Sequence, residues 1–375
     1  MAIQMVDLRG QYLRIKDEVD AAIARVLEST QFIKGEELAA FEAELSAALD
    51  GVGTLGVANG TDALQIAFMA LGIRPGDEVI TPSFTFVATA EAIGLLGATP
   101  VFADIDPDTF NIDPAAVESL ITERTKAIVP VHLFGQCADL DPILELACSQ
   151  DLAVIEDTAQ AVGARYKGRA AGTMGGFGTL SFFPSKNLGC YGDGGGILSS
   201  IPEWLEQARL IANHGSRKKY HNEVIGINSR LDAMQAAILR AKLPHLDAFT
   251  AARQTAADRY DDLLSDIQDV IAPRRADYST HVFHQYTIRV VGNDADRRDA
   301  LKAHLNAAGI PCNVYYPIPL HLLPIYKDHE GSCRFGDMTN TLRAANEVLS
   351  LPMHTELTLE EQQEVATAIR SFFHV

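Results

Sequence analysis

Lys186 lies within Thr179-Leu-Ser-Phe-Phe-Pro-Ser-Lys-Asn-Leu-Gly-Cys-Tyr-Gly-Asp-Gly-Gly-Gly196, between an apolar run and a glycine-rich tract. A lysine amine is a nucleophile and a base only while unprotonated, so it serves covalent chemistry where burial or a neighbouring charge keeps it partly neutral. The apolar run Thr179 to Phe183 reads as a strand ended by Pro184, which has no N–H to give a ladder. Gly192 and Gly194 to Gly196 allow tight turning and close approach. A solvated loop lysine is the plainer alternative, and the rest of the chain must choose between the two.

Several other residues belong in the same argument. Asp157 ends the apolar stretch Ala153-Val-Ile-Glu-Asp157, where a carboxylate needs a cationic partner or serves as a helix N-cap. Gly60-Thr61 opens a helix, and backbone N–H groups there bind phosphate, although threonine is equally a routine cap. Ser181 adds a hydroxyl five residues before Lys186, or packs within the strand. Phe84 and Phe86 follow another strand. A buried carboxylate that keeps a pyridine nitrogen protonated, an aromatic face, a phosphate site and a lysine are together what pyridoxal phosphate requires. Rival chemistries score poorly. Asp193-Gly-Gly-Gly196 is neither a dinucleotide fingerprint nor a Walker A loop. His281-x-x-His284 lacks the spacing and glutamate of a zincin helix, reads as ordinary strand residues, and leaves no metal site. No G-x-S-x-G elbow is present.

The elements that must position these residues alternate. Residues 12–27 and 38–49 have helical apolar spacing. Strands are expected at 54–58, 78–81, 100–104, 127–131, 153–157, 179–183 and 197–199. Among them come a turn at 59–62 and helices at 63–71, 87–96 and 114–121, with another opening at Asp139. Short apolar strands separated by helices indicate a parallel α/β sheet covered on both faces. Ligands then gather beyond the carboxyl ends of its strands, where Thr61, Phe86, His132, Asp157, Gln160 and Lys186 fall. A helix beginning near Pro202 and another over 231–243 follow, around a polar segment that carries Arg217-Lys218-Lys219. The helical segment 248–264 leads to a second domain, with a strand at 283–291, a helix at 299–308 and a final helix opened by a capping box, Thr358-x-x-Glu361.

A chain of 375 residues, 47% hydrophobic and 21% charged, divides into two globular domains. Its net charge of −18 argues against nucleic acid or an anionic membrane as partner, but leaves room for a small anion at a local cluster of cations. Five scattered cysteines without a C-x-x-C pair fit a reducing compartment. The segment from Met1 to Asp7 has no leader pattern, and no apolar run is long enough to span a bilayer, so a cytoplasmic location is expected.

Six motifs, in order, carry a resemblance: Asn59-Gly-Thr-Asp-Ala-Leu64, Thr81-Pro-Ser-Phe-Thr-Phe-Val-Ala88, Glu156-Asp-Thr-Ala-Gln160, Ser181-Phe-Phe-Pro-Ser-Lys186, Gly192-Asp-Gly-Gly195 and Gly226-Ile-Asn-Ser-Arg-Leu-Asp-Ala-Met-Gln-Ala237. Together they resemble the DegT/StrS-type sugar nucleotide aminotransferases, from the N-terminal arm to Leu351-Pro-Met-His354. The resemblance implies a pyridoxal-phosphate-dependent transferase fold of type I. Its mostly parallel seven-stranded sheet, flanked by helices, would form a large domain over 1–247, with a smaller α+β domain over 248–375. It further implies that Lys186 bonds the cofactor as a Schiff base and shuttles protons, and that Asp157 pairs with the pyridinium nitrogen. Gln160 would meet the phenolic oxygen, Phe86 rather than Phe84 would stack on the ring, and Gly60, Thr61 and Ser181 would hold the phosphate. Asn228 would reach that phosphate from a neighbouring subunit, making the active unit a homodimer with shared sites. Relatives with histidine in place of the lysine are dehydratases, and Lys186 argues against that activity.

The segments His214 to His221, Asn228 to Arg230 and Tyr316 to His321 are similar to those of enzymes that aminate C3 of nucleotide-linked 3-keto sugars. The resemblance implies glutamate as donor and a UDP-linked 2-acetamido-3-keto-hexuronic acid as acceptor, for O-antigen or capsule biosynthesis. A dTDP-linked 3- or 4-keto-6-deoxyhexose is the alternative acceptor, and a non-catalytic regulatory protein of the same fold the alternative class. Arg230 would suit a sugar carboxylate or form an interface ion pair, Arg217 to Lys219 would meet a nucleotide diphosphate, and Tyr315, Tyr316 and His321 would line the sugar site. Tyr315-Tyr316-Pro317 stands where that group often has His-Tyr-Pro.

Overall fold

The computed structural model describes residues 3–329 and 331–374; Met1 and Ala2, the first residues of the segment read for a leader, lie outside them, as do Glu330 and Val375. Seven strands recur between helices: β1 (Gly53–Val57), β2 (Glu78–Pro82), β3 (Thr99–Ala103), β4 (Thr125–Ile128), β5 (Ala153–Asp157), β6 (Phe177–Ser181) and β7 (Gly195–Ser199). They lie in the order β1-β7-β6-β5-β4-β2-β3, and a two-residue strand, Arg334–Phe335, adds an eighth beside β3. Seven strands were expected; the eighth comes from the C-terminal part of the chain. Only β7 opposes the others, pairing antiparallel with β1 and β6. The strands are short because helices cover both faces, and β2 is buried along its whole length.

Six helices matter for the site: α1 (Lys16–Ser29), α2 (Glu36–Ala48), α3 (Gly60–Ala70), α4 (Ala88–Leu95), α5 (Ala233–Lys242) and α6 (Leu246–Leu264). The helix expected over 12–27 is broken at Ile15, so that Leu8–Arg14 and α1 are separate. The turn expected at 59–62 is instead the first turn of α3, capped by Asn59, whose side chain accepts from Asp62 N at 2.8 Å. Strand β6 starts two residues before the expected position and ends at Ser181, so Pro184 does not terminate it. Phe182 instead closes onto the glycine loop, donating to Gly194 O and accepting from Cys190 N, both at 2.8 Å.

The glycines after Lys186 also differ from expectation. Gly195 and Gly196 lie inside β7, and neither has a positive φ. What Gly195 provides is proximity, since a Cβ there would stand 2.3 Å from Asn59 O. The start of α3 can therefore press against β7. Gly195→Ala is expected to destabilise the fold by about 1–3 kcal/mol, the usual cost of overpacking, read from denaturant unfolding. Wild-type stability in that variant would show that the contact is slack.

The expected boundary at 247/248 falls inside α6. Leu246 packs with Leu180, Phe182 and Leu188, whereas Ala256, Tyr260 and Leu264 join a C-terminal core with Ile288, Leu301, Leu349 and Ile369. That core is built on antiparallel strands Val270–Ile271, Tyr286–Val290 and Val348–Leu351. Ile3 joins it from the N-terminal arm. The last helix, Leu359–Phe373, opens with the expected capping box: Thr358 Oγ1 accepts from Glu361 N at 3.2 Å, and Glu361 Oε2 accepts from Thr358 N at 3.0 Å. Among the described residues, no helix is long and apolar enough to cross a membrane.

Candidate active site

The loops that leave β1, β2, β5 and β6 converge on a cavity of about 650 Å³, closed on another side by His284, Gln285, Tyr315 and Tyr316. This is the place a parallel sheet reserves for ligands, since every βα unit delivers its loop to the same edge. The cavity gathers Gly60, Thr61, Phe86, Asp157, Gln160, Ser181, Lys186, Tyr315 and Tyr316.

Asp157 is 6% exposed at the end of β5. Its Oδ2 accepts from Thr89 Oγ1 at 2.7 Å and its Oδ1 from Ala159 N at 3.1 Å. No helix follows it directly, so the N-cap reading fails, and the bond to Ala159 closes an Asx turn instead. Two bonds hold the carboxylate in a fixed orientation towards the cavity.

Lys186 follows β6 on a turn in which its own N–H donates to Phe183 O at 2.8 Å. The residue is partly accessible through the cavity, yet protein packs densely around the amine. Burial pushes its pKa down to about 8, against the opposing pull of the Asp157 carboxylate. An amine with that pKa is neutral in part near physiological pH, which a solvated lysine is not.

Gly60 and Thr61 form the first turn of α3, whose N–H groups lack intrahelical acceptors. The cap is Asn59, so Thr61 is free of that duty, and its hydroxyl makes no hydrogen bond among the described residues. A Cβ on Gly60 would stand 2.9 Å from Ser181 Cβ, so only glycine lets the helix terminus and the Ser181 hydroxyl share one corner. Helix amides, two hydroxyls and the positive end of the helix dipole make an anion cradle.

The aromatic residues divide cleanly. Phe86 is 57% exposed and lines the cavity, whereas Phe84 is 1% exposed and packs on Phe110, Phe134 and Tyr316. Gln160 Oε1 accepts from Phe134 N at 2.8 Å, and its Nε2 donates to the Tyr316 hydroxyl at 3.0 Å. That hydroxyl is held well above the usual tyrosine pKa, chiefly by burial.

His321, Asn228 and Arg230 do not line this cavity. His321 is not among the lining residues; its Nδ1 and Ser83 Oγ are 2.7 Å apart, and its own N–H donates to the same oxygen, so it anchors the loop 319–323. Asn228 is exposed outside the cavity. Arg230 lines a different cavity, of about 470 Å³, with Arg209, Arg217 and Lys34. Its guanidinium makes no hydrogen bond or ion pair among the described residues. Arg217 does not stand free, pairing with Glu206 at 3.2 Å and with Glu223. The sequence reading missed Thr89 and took His284 for an ordinary strand residue. His284 precedes the strand Tyr286–Val290 and lines the cavity beside Lys186. Among the described residues, no group of three or more His, Cys, Asp or Glu side chains is placed to hold a metal ion.

Residues 13–370 match the DegT/DnrJ/EryC1/StrS aminotransferase family. The chain is similar to a pleiotropic regulatory protein of Geobacillus stearothermophilus, 48% identical over 100% of this chain and 99% of that one. It is also similar to the UDP-2-acetamido-2-deoxy-3-oxo-D-glucuronate aminotransferase of Pseudomonas aeruginosa, 46% identical over 98% and 99%. Among solved structures, DesV of Streptomyces venezuelae, in complex with a ketimine intermediate, superposes with a TM-score of 0.93 at 43% identity, covering 99% of this chain and 98% of that one.

Proposed function

Because the chain belongs to the DegT/DnrJ/EryC1/StrS aminotransferase family, we propose that it transfers the amino group of glutamate to a nucleotide-linked keto sugar with pyridoxal phosphate as cofactor. The acceptor in this reading is a UDP-2-acetamido-3-keto-hexuronic acid, aminated at C3 for cell-surface polysaccharide. One observation carries the proposal: a lysine with a pKa near 8, a buried oriented carboxylate and a helix-terminus anion cradle border the same cavity. A pleiotropic regulatory protein is among the similar chains, but a non-catalytic role would not need Lys186 and Asp157 to be held in this way.

The residues present fit the cofactor. The corner that only glycine at position 60 permits, with Thr61 and Ser181, suits its phosphate, and Asp157 suits its ring nitrogen. When bound, pyridoxal phosphate supplies an electron sink for the carbon that loses or gains a proton. The protein's share is acid–base and electrostatic. Asp157, its orientation held by Thr89 and the Ala159 amide, would favour a proton on the pyridine nitrogen. Lys186 accepts the proton from the donor's α carbon and, in the reverse sense, delivers one to the sugar carbon. Gln160 and Tyr316, bonded to each other, would offer polar groups to the ring's oxygen, and Phe86 an aromatic face for the ring to stack on.

Homodimerisation belongs to the same proposal. Asn228 and Arg230 lie outside the Lys186 cavity of their own chain, and the strongly exposed Tyr220 and Ile225 precede them in the same segment. A second copy covering this segment would receive Asn228 at its phosphate cradle and Arg230 at the sugar carboxylate.

The function is tested by adding glutamate to the purified, visible-absorbing protein. Loss of colour, and its return with the keto sugar nucleotide, is expected; an unchanged spectrum with glutamate would overturn the reading. Arg230→Ala is expected to raise KM about tenfold or more for a uronic acid acceptor and to leave that for uncharged sugars nearly unchanged. Equal effects on both would remove the carboxylate from the argument.

A further inference from the structure

His284 holds a place in the cavity that the roles above do not use. The residue is 6% exposed and lies beside Lys186. Its backbone is pinned from several directions. Arg253, itself 3% exposed on α6, donates to Phe283 O at 2.9 Å and to Met353 O at 3.1 Å. Gln285 N donates to Phe134 O at 3.2 Å, and Val282 N to Gly135 O at 2.8 Å. Phe283 and Phe134 have φ of 46° and 58°, a left-handed conformation that bulky residues seldom adopt and that collects at ligand sites. The His281 ring stacks on Phe283 at 3.9 Å and accepts from Phe283 N at 3.0 Å. Such bracing fixes where the imidazole stands.

The ring's two nitrogens differ. Nδ1 is sealed inside the protein without a partner. Nε2 also lacks a hydrogen bond within the chain, but it is not sealed off, and the residue borders the cavity. Burial, then the charges of Lys186 and Arg253, drive the pKa well below that of an ordinary histidine, so the ring has one N–H and one bare nitrogen. A proton on the sealed Nδ1 would have no acceptor, whereas one on Nε2 can be met by a molecule in the cavity, so the Nε2–H tautomer is the better satisfied. The cavity thus contains a fixed donor without a partner among the described residues, close enough to Lys186 for the lysine's charge to disfavour a second proton on the ring.

We propose that His284 is a substrate-contacting residue whose Nε2–H donates to an oxygen bonded next to the reacting carbon, either the α-carboxylate of the amino donor or a hydroxyl of the sugar. This rests on the aminotransferase reading. Since the Lys186 amine must reach the reacting carbon, the oxygen within range of its neighbour is on the adjoining carbon. The test uses holoenzyme of the wild type, His284→Phe and His284→Asn, with each half-reaction followed separately in single-turnover absorbance. His284→Phe, which fills the space without a donor, is expected to bind the cofactor with an unchanged spectrum and to slow at least one half-reaction about tenfold. His284→Asn keeps an N–H and should recover most of that loss. A defect confined to the glutamate arm assigns the carboxylate, one confined to the sugar arm assigns the hydroxyl, and one in both shows that the donor serves each in turn. If the Phe variant does not fold, His284→Leu takes its place. Both half-reactions within twofold of wild type, or equal losses in the Phe and Asn variants with a changed cofactor spectrum, would overturn the inference. A wild-type protein inert to glutamate would overturn the aminotransferase reading itself.

Discussion

Lys186→Ala is expected to lower kcat by at least about 10³-fold while the protein still folds and accepts the cofactor's phosphate. The loss should be this large because in the proposed reaction one amine would both bond the cofactor and move the proton at the reacting carbon, and acid–base work alone accounts for about 10²–10⁴-fold. The fold should survive, since the side chain makes no hydrogen bond within the chain and removing it relieves a buried amine. The pH dependence gives a second measure. With its pKa pushed down to about 8, the amine is mostly protonated below that pH and mostly neutral above it. Uptake of pyridoxal phosphate by cofactor-free wild type should therefore quicken about tenfold per pH unit below 8 and level off above it. A rise continuing to pH 10 would mean an ordinary solvated lysine. Full turnover in the alanine variant would sink the mechanism.

Asp157→Asn is the second large effect. The amide matches the carboxylate in shape; its oxygen can accept from Ala159 N and its NH2 can donate to Thr89 Oγ1, a hydroxyl that serves as either partner, so folding stability should change little. What disappears is a negative charge in a buried place, where nearby water screens it poorly. Without it the pyridine nitrogen loses its proton, and kcat is expected to fall about 10²–10³-fold, comparable to losing a preorganised electrostatic partner elsewhere. A shift in the holoenzyme's visible absorption should accompany the fall. An Asn variant within tenfold of wild type would show that Asp157 serves the turn rather than the chemistry.

Those two residues could be found without coordinates because they obey a local rule. Each βα unit writes its own strand, turn and helix into a few consecutive residues, and parallel strands place every such turn on one edge. Thr61, Phe86, Asp157, Gln160, Ser181 and Lys186 all stand at that edge and all border the cavity. The details that failed are of two kinds. Some were local misreadings, such as taking Pro184 for the end of β6 or the glycines of β7 for a turn, where pairing with β1 outweighed the residues' own preferences. Others were contacts between remote segments. Thr89 reaches Asp157 across 68 residues because α4 starts beside β5, and nothing at either position announces it.

The chain's order of apolar runs, turns and strand-end polar residues determined the α/β sheet, its loaded edge, and the lysine and carboxylate that meet there. These follow from backbone periodicity and the handed geometry of consecutive units, which act over tens of residues. The tertiary structure alone decided that His284 faces the cavity, that His321 instead anchors a loop on Ser83, and that Arg230 looks into a second cavity. It also decided that burial would lower the pKa of Lys186. Each of these depends on how the C-terminal segments dock against the sheet. That docking is set by the summed packing of side chains far apart in sequence, and such packing leaves no period to read.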